Sequence, residues 1–396
     1  MAACSDERIV ASSFSPESVT VRTIRGKRAI LACYPWLSSF ASACGQSDAA
    51  EDLSYFLAKP GISARTPVLL CVLRKSAKKQ RTPEPTEILG TLLLYEYSVA
   101  GIRTGLFTTN DRSGRTSLIA PAAMRSSVVS FAAQWLLRRG AHLVLLSFAE
   151  RSDGAVGCGE PRIESPIAAR WATRTRRVPD FLELRASFDE TLASIGQRTR
   201  SNMRYYRRRA EKELGCIFEP EATITESELL TFNRECMYAV PNRTAVWRLR
   251  TLHKLSERVL MALRDRDGRL LSLIGGRRLG TSTELLWQMN RDDLRQSSLS
   301  LVLRSYVIEH EIARGAKRFY VEGGSGHPIR HSFQHSNMID LIVRRESSRA
   351  AIVCSLARRF IHWDNELAVM LVDSSVTWNS TRGTVAALRP KLSEPA

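Results

Sequence analysis

Three short stretches of this sequence carry residue types that bind or move charge. The first, "RQSSLS" (295–300), follows a strand pattern and a polar loop and opens a helix pattern. A helix beginning there offers unpaired backbone N–H groups and the positive end of the helix dipole, which together favour an anion. Small side chains at Ser297, Ser298 and Ser300 let a phosphate approach the backbone, and Arg295 or Gln296 can add a side-chain contact. Ser297 or Ser298 can equally cap the helix through its hydroxyl, and the lack of a glycine favours that plainer role. The second stretch, "HPIRHSFQH", sets His327, His331 and His335 four residues apart. On a helix this spacing stacks three imidazoles along one face, able to supply a base or to hold Zn²⁺. No carboxylate follows at ligand spacing, so a metal is not expected. The third, "GQRTRSNMRYYRRRAEKELG" (196–215), is strongly basic. As a helix it stacks Met203, Tyr206, Ala210 and Leu214 into one apolar stripe and leaves Arg200, Arg204, Arg207, Arg208 and Lys212 largely outside it. That basic face is solvated, or meets an anionic ligand, or meets a nucleic acid or membrane surface.

These stretches need a scaffold, and the composition bounds it. With 396 residues, 44% of them hydrophobic, the chain can fill the cores of two domains. A formal charge of +18 attracts polyanions, but Arg far outnumbers Lys, as a GC-rich coding bias also produces. Nucleic acid is therefore not an expected partner, tRNA under one alternative below excepted. Cys4, Cys33, Cys44, Cys71, Cys158, Cys216, Cys236 and Cys354 are scattered without metal-ligand spacing and read as reduced intracellular thiols. "RTIRGKRAILACYPWLSSFASAC" imitates a signal peptide, yet it starts too deep in the chain and Pro35 interrupts it. No apolar run approaches the roughly 20 residues of a membrane span. A soluble, cytoplasmic protein is expected.

The second half reads as a meander of three strands, "RVLMALRD", "RLLSLIGGRRL" and "ELLWQM", then a polar loop, a helix over "LSLVLRSYVIEHEIARG", and a buried strand "RFYVEGG". The first half repeats this grammar: "TPVLLCVLRK", "TEILGTLLLYEYSV", "GIRTGLFTT", a loop, a helix "MRSSVVSFAAQWLLRRG" and a strand "AHLVLLSFA". The pieces "RRGAHLVLLSF" and "ARGAKRFYVEG" correspond, which points to an internal duplication. The expected fold class is α/β: two domains, each a mixed, mostly antiparallel sheet flanked by helices. The boundary falls in a turn-rich, charged region near 157–180, which gives domains 1–178 and 179–375 and a flexible tail, 376–396.

The order of elements and the loop at 295–300 resemble the GNAT acyltransferases, whose pattern there is Gln or Arg, two residues, Gly, one residue, Gly or Ala. Arg295, Ser298 and Ser300 hold those places. The duplicated arrangement, "SFDETLASIGQRTRSNMRYYRRRAEKELG" and the stretch from "RDGRLLSLIGG" to "GGSGHPIRHSF" resemble the cellulose-biosynthesis-associated CelD/BcsL group, relatives of the FemABX transferases. That group's Tyr-Lys pair after the last strand is Ile329 and Arg330 here, and the first-half loop has Arg115, Leu118 and Ala120 at the GNAT places. The resemblance implies two GNAT-like domains, the first degenerate and the second active, moving an acyl group from acetyl-CoA or a longer acyl-CoA to an amine or hydroxyl, such as that of a saccharide or envelope precursor. Coenzyme A would sit on Arg295, Gln296, Ser297, Ser298 and Ser300. Such chemistry needs a base, a polarised carbonyl and a proton source. Glu322, at the end of "RFYVE", is the first candidate for the base and His327 another, with Tyr320 as proton donor. Trp287 and Gln288 would line the acceptor pocket, and Arg204, Arg208 and Arg330 would meet substrate anions. Each also has a structural reading: a salt bridge for Glu322, core packing for Tyr320 and Trp287. Two other functions fit the same residues: a FemABX-like transferase using aminoacyl-tRNA, and a non-catalytic binding protein.

Overall fold

The computed structural model describes residues 18–46, 57, 65–75, 87–99, 101–109, 117–150, 161, 163, 165–255, 257–321, 328–360 and 377–381. The chain forms two compact units. The first takes the described residues up to Arg176 and again from Asn337 onward; the second is Arg177–Ser336.

In the first unit β1 (Val19–Arg25) pairs antiparallel with β2 (Arg65–Arg74). Helices α1 (Lys27–Leu31) and α2 (Tyr34–Ala43) lie between them in sequence. Pro35 stands in the first turn of α2, where its missing N–H costs nothing. β2, β3 (Ile88–Val99) and β4 (Ile102–Thr108) form the antiparallel meander, and short β5 (Leu118–Ile119) adds to β3. Val128, Val129, Ala132, Ala133, Leu136 and Leu137, at helical spacing, make the buried face of α3 (Arg125–Arg138). Gly140, at φ 90°, ends that helix at a backbone angle that suits glycine. β6 (Leu143–Glu150) then lies parallel to β4, with Leu106 opposite Leu143. β7 (Ala169–Glu183) follows and carries the chain into the second unit.

The second unit repeats the scheme. Its leading helices are α4 (Phe188–Ser194), capped by the Ser187 hydroxyl, and α5 (Gln197–Leu214). β8 (Ile217–Glu219), α6 (Glu226–Arg234) and α7 (Asn242–Leu252) come next. β9 (Arg258–Arg264), β10 (Leu270–Leu279) and β11 (Ser282–Asn290) make the meander; α8 (Leu299–Ala313) leads to β12 (Arg318–Val321), parallel to β11. Residues 181–183 of β7 pair antiparallel with β12, so the strand order within this unit is β7-β12-β11-β10-β9-β8. Gly275 of β10 is opposite Trp287, and a Cβ there would stand 2.1 Å from the indole, so only glycine admits the ring.

The chain then returns to the first unit through β13 (Gln334–Arg345), which pairs antiparallel with β6 from Asn337↔Glu150 to Arg344↔Leu143. α9 (Ser348–Phe360) and β14 (Asn379–Ser380) complete the described elements. Each unit therefore closes its parallel strand with an antiparallel one from a distant part of the sequence. Asp340 on β13, fully buried, accepts hydrogen bonds from Ser147 Oγ (2.7 Å), Arg176 Nε (2.6 Å) and Arg174 Nη2 (3.2 Å).

Three expectations need correction. Residues from Asn337 onward, expected in the second domain, belong with the first unit, because β13 finds its partner in β6. The stretch 157–180 does hold the change of unit, at Arg176/Arg177, but from Ala169 it is the strand β7 and not a turn-rich segment, and its Arg174 and Arg176 meet Asp340. Part of the tail expected to be flexible is fixed: Thr381 is fully buried, and its Oγ1 accepts from Ala169 N (3.0 Å) and donates to Ile167 O (2.9 Å).

Candidate functional site

The residues that could hold a substrate lie in the second unit, on β11 and at the start of α8. β11 pairs in parallel with β12 from Ser282↔Arg318 to Leu285↔Val321, the last described residue of β12, and runs on to Asn290. That run of β11 carries Trp287 and Gln288. Consecutive strand residues project to opposite faces, so these two are not brought together. Trp287 is buried opposite Gly275, its indole Nε1 without a partner. Gln288 faces α8: its Nε2 donates to Asn290 Oδ1 (3.1 Å) and to the Ser300 carbonyl (3.3 Å), and its Oε1 accepts from Arg304 Nε (2.8 Å).

The loop before α8 is tighter than plain capping requires. Residues Arg295–Ser297 make a 3-10 turn, and Ser298, at φ 47° and ψ 43°, is the one non-glycine residue at positive φ among the described residues. Ser298 caps with its backbone: its carbonyl accepts from Leu301 N (2.8 Å) and Val302 N (3.1 Å), while its side chain makes no cap bond. The left-handed conformation explains why a glycine suits this place. Among the described residues the N–H groups of Leu299 and Ser300 find no acceptor, and they stand at the positive end of α8. Arg295 and Gln296 are exposed, and the Arg295 guanidinium turns to Asp292 Oδ1 at 2.5 Å. The backbone of this turn, more than its side chains, is what an anion would meet. These groups suit an anion such as a phosphate.

The other candidates divide. Glu322 and His327 lie outside the described residues. Tyr320 is half-buried on β12 with its ring 5.4 Å from Phe181. The imidazoles do not share a helix face: His331 is in a 3-10 turn, residues Pro328–Ser332, and His335 is on β13, because the strand begins at Gln334 and imposes its own period. Among the described residues no group of three or more His, Cys, Asp or Glu could hold a metal ion, and no helix is long and apolar enough to cross a membrane.

The basic stretch forms α5 as expected, and much of its charge is already met. Arg204 donates to Asp189 (2.8 Å), Arg209 to Glu213 (2.7 Å) and Arg207 to Glu309 (2.7 Å). Arg207 also lies 3.9 Å over the Tyr306 ring and so docks α5 on α8. Arg208 Nε donates to the Arg204 carbonyl. A nearby cleft lined by Thr231, Glu235, Arg264 and Arg291 likewise pairs its guanidiniums, Arg264 with Glu219 and Glu228, Arg291 with Glu235 and Asp293.

One residue that the sequence reading passed over joins this site. Arg304 lies on the buried face of α8 beside Leu301, Val302, Leu303, Val307 and Ile308. A lone arginine inside an otherwise apolar helix face was the available signal. Burial, with the charge of Arg330 adding to it, pushes the Arg304 guanidinium down to about 10. Arg330, expected to contact substrate, is thus the charge that acts on Arg304.

No protein-family model matches the chain, and no curated protein does. Similar solved structures include L-PGS from Bacillus licheniformis, 11% identical with a TM-score of 0.45, covering 82% of this chain and 95% of that one. FemX is 11% identical with a TM-score of 0.41, covering 69% and 87%. A tandem GNAT protein from the clavulanic acid biosynthesis pathway is 12% identical with a TM-score of 0.42, covering 83% and 99%. At that level of likeness the fold rests on the strand order itself: an α/β protein of two units, each a mixed, mostly antiparallel sheet flanked by helices.

Proposed function

We propose that the second unit is an acyltransferase that takes its acyl group from acyl-CoA and passes it to an amine or hydroxyl, on a saccharide or envelope precursor. The observation that carries this reading is the start of α8 beside Gln288 of β11, where two N–H groups and a left-handed Ser298 form a backbone turn that suits an anion. The donor's pyrophosphate would rest on Leu299 and Ser300 N–H, with Arg295, Gln296 and Ser297 at its edge. The thioester would then reach toward Gln288. The acceptor nitrogen or oxygen attacks the thioester carbonyl, its proton passes to a base, and the carbon–sulfur bond breaks to release the thiol. Glu322 is proposed as that base, with His327 as the other candidate and Tyr320 as the proton donor to the leaving thiolate. Arg204, Arg208 and Trp287 are proposed around the acceptor.

A thermal-shift titration with coenzyme A, acetyl-CoA and longer acyl-CoAs tests the reading, since a ligand that binds only the folded state raises the midpoint by mass action. A dose-dependent rise that ranks the acyl chains is expected. The uncompensated charge of Arg304 and Arg330 favours one second reading, a transferase that uses aminoacyl-tRNA. That reading requires tRNA binding that weakens steeply as salt rises. No shift with any acyl-CoA, joined to such tRNA binding, replaces the first reading with the second; silence in both leaves a non-catalytic binding protein.

A further inference from the structure

The second unit satisfies its buried arginines with carboxylates as a rule. Arg277 pairs with Glu284 at 2.6 Å, Arg278 with Glu311 at 2.8 Å and Arg291 with Glu235 at 2.6 Å. Arg304 breaks the rule. It is 7% exposed; among the described residues its one hydrogen bond goes to the neutral Gln288 Oε1, and its buried Nη1 has no partner. The charge that acts on it is another cation, Arg330, whose Nε is also buried and, among the described residues, unpartnered. No described carboxylate pairs with either guanidinium. A buried cation without a counter-charge is costly, and a second like charge acting on it adds repulsion.

Gln288 does not relieve this; it aims it. Its amide nitrogen is committed to Asn290 and the Ser300 carbonyl, which leaves its oxygen to hold Arg304 Nε and turns the outer edge of the guanidinium away from β11. Arg304 is four residues along α8 from Ser300, so the fork lies about one helical turn inside the helix start. Arg330 lies in the 3-10 turn Pro328–Ser332. A planar fork and a second guanidinium together match the two or three oxygens of a carboxylate or phosphate.

We propose that Arg304 and Arg330 form a buried receptor for an anionic group, a carboxylate or a phosphate, carried by the substrate of this unit. Anion capture stands on the burial of Arg304 and on the unpartnered Arg304 Nη1 and Arg330 Nε; calling the anion's carrier the substrate rests on the acyltransferase reading. The bound oxyanion would supply the missing counter-charge and take hydrogen bonds from Arg304 Nη1 and Arg330 Nε. Arg330 is thereby assigned a ligand chemistry, and Gln288 a positioning role through Arg304.

The test is thermal unfolding of the full chain at constant ionic strength, with chloride replaced stepwise by inorganic phosphate or by acetate. The wild-type midpoint is expected to rise with one of the two anions by several degrees, and the anion that acts names the group. Arg304→Met and Arg330→Met should both lose that rise. In chloride alone each variant should melt at or above the wild type, because removing one of two like buried charges relieves repulsion. A wild type indifferent to both anions overturns the proposal, and so does a rise that persists in both variants. Variants that melt well below the wild type in chloride, with no anion response to lose, would make the pair structural and overturn it too. If Arg304→Met fails to fold, Arg330→Met carries the comparison alone. An acyl-CoA titration of the wild type run alongside separates the two readings: no acyl-CoA shift with an intact anion response removes the acyltransferase and leaves the receptor.

Discussion

Replacing Ser298 by glycine tests the loop before α8 most directly. Ser298 holds φ 47° and ψ 43° and makes no side-chain cap bond. An L-residue in the left-handed helical region costs roughly 1–2 kcal/mol. Glycine removes that cost but gains about 0.4–1 kcal/mol of extra freedom in the unfolded chain. The net is a stabilisation of about 0.5–1 kcal/mol, or ~1–4 °C in the midpoint for a domain of this size. Ser298→Ala separates backbone from hydroxyl: alanine keeps the Cβ and loses no cap bond, so it should stay within ~0.5 kcal/mol of the wild type. Urea unfolding of the three proteins measures the order, expected to be glycine above serine and alanine alike. On the acyltransferase reading the glycine variant also shows a larger acyl-CoA shift, because the Cβ no longer crowds the anion. An alanine variant ~1 kcal/mol below the wild type, with glycine no better than serine, would mean that the hydroxyl caps the helix after all. The strain argument would then be wrong.

Two further outcomes follow from buried charge. Asp340→Ala removes the acceptor of Ser147, Arg174 and Arg176 in the first unit and should cost about 3–5 kcal/mol, read by urea unfolding; a loss under about 1 kcal/mol would show that the network does not hold β13 to its neighbours. His310 on α8 is held below the ordinary imidazole value, first by burial, with Glu311 opposing the fall and Arg278 and Arg314 deepening it. The unfolded chain therefore takes up this proton before the folded one, and stability falls as pH drops from above 6.5 through the ordinary value toward the folded one. His310→Phe should flatten that part of the stability–pH curve, and an unchanged slope would remove His310 from the effect.

The local elements were legible in the sequence because their periods are local. Short apolar runs bounded by turns mark β9, β10 and β11, helical spacing marks α3, α5 and α8, and Gly140 and Gly315 end the two matched helices at φ 90° and 87°. The exchange of closing strands was not legible. β7 reads as a turn-rich, charged boundary until Asp340, more than 160 residues later, supplies the partner for Arg174 and Arg176. A strand rich in arginine looks like a loop unless its counter-charge is known. The histidines failed for a related reason: four-residue spacing means one face only on a helix, and Gln334 starts a strand between His331 and His335. Ser298 was readable as a small residue near an anion loop but not as a left-handed one, since serine rarely adopts that conformation.

Ser298 and Arg304 together say more than either does alone. A folded chain tolerates strain and uncompensated charge where something else is gained by them, and it concentrates both at functional sites. This chain has 40 acidic residues and uses them to neutralise buried guanidiniums on β10 and at Arg291. One of these acids, Glu311, stands at the far end of α8, where it meets Arg278 and Thr283. The first two turns of the helix keep a strained backbone and, among the described residues, two N–H groups without acceptors and a buried cation without an acid. The last two defects have the same sign: each would be relieved by negative charge arriving from outside the chain, and the strained Ser298 sets the turn that presents the two N–H groups. Defects of packing alone would have no reason to agree in sign or to gather within six residues of one another.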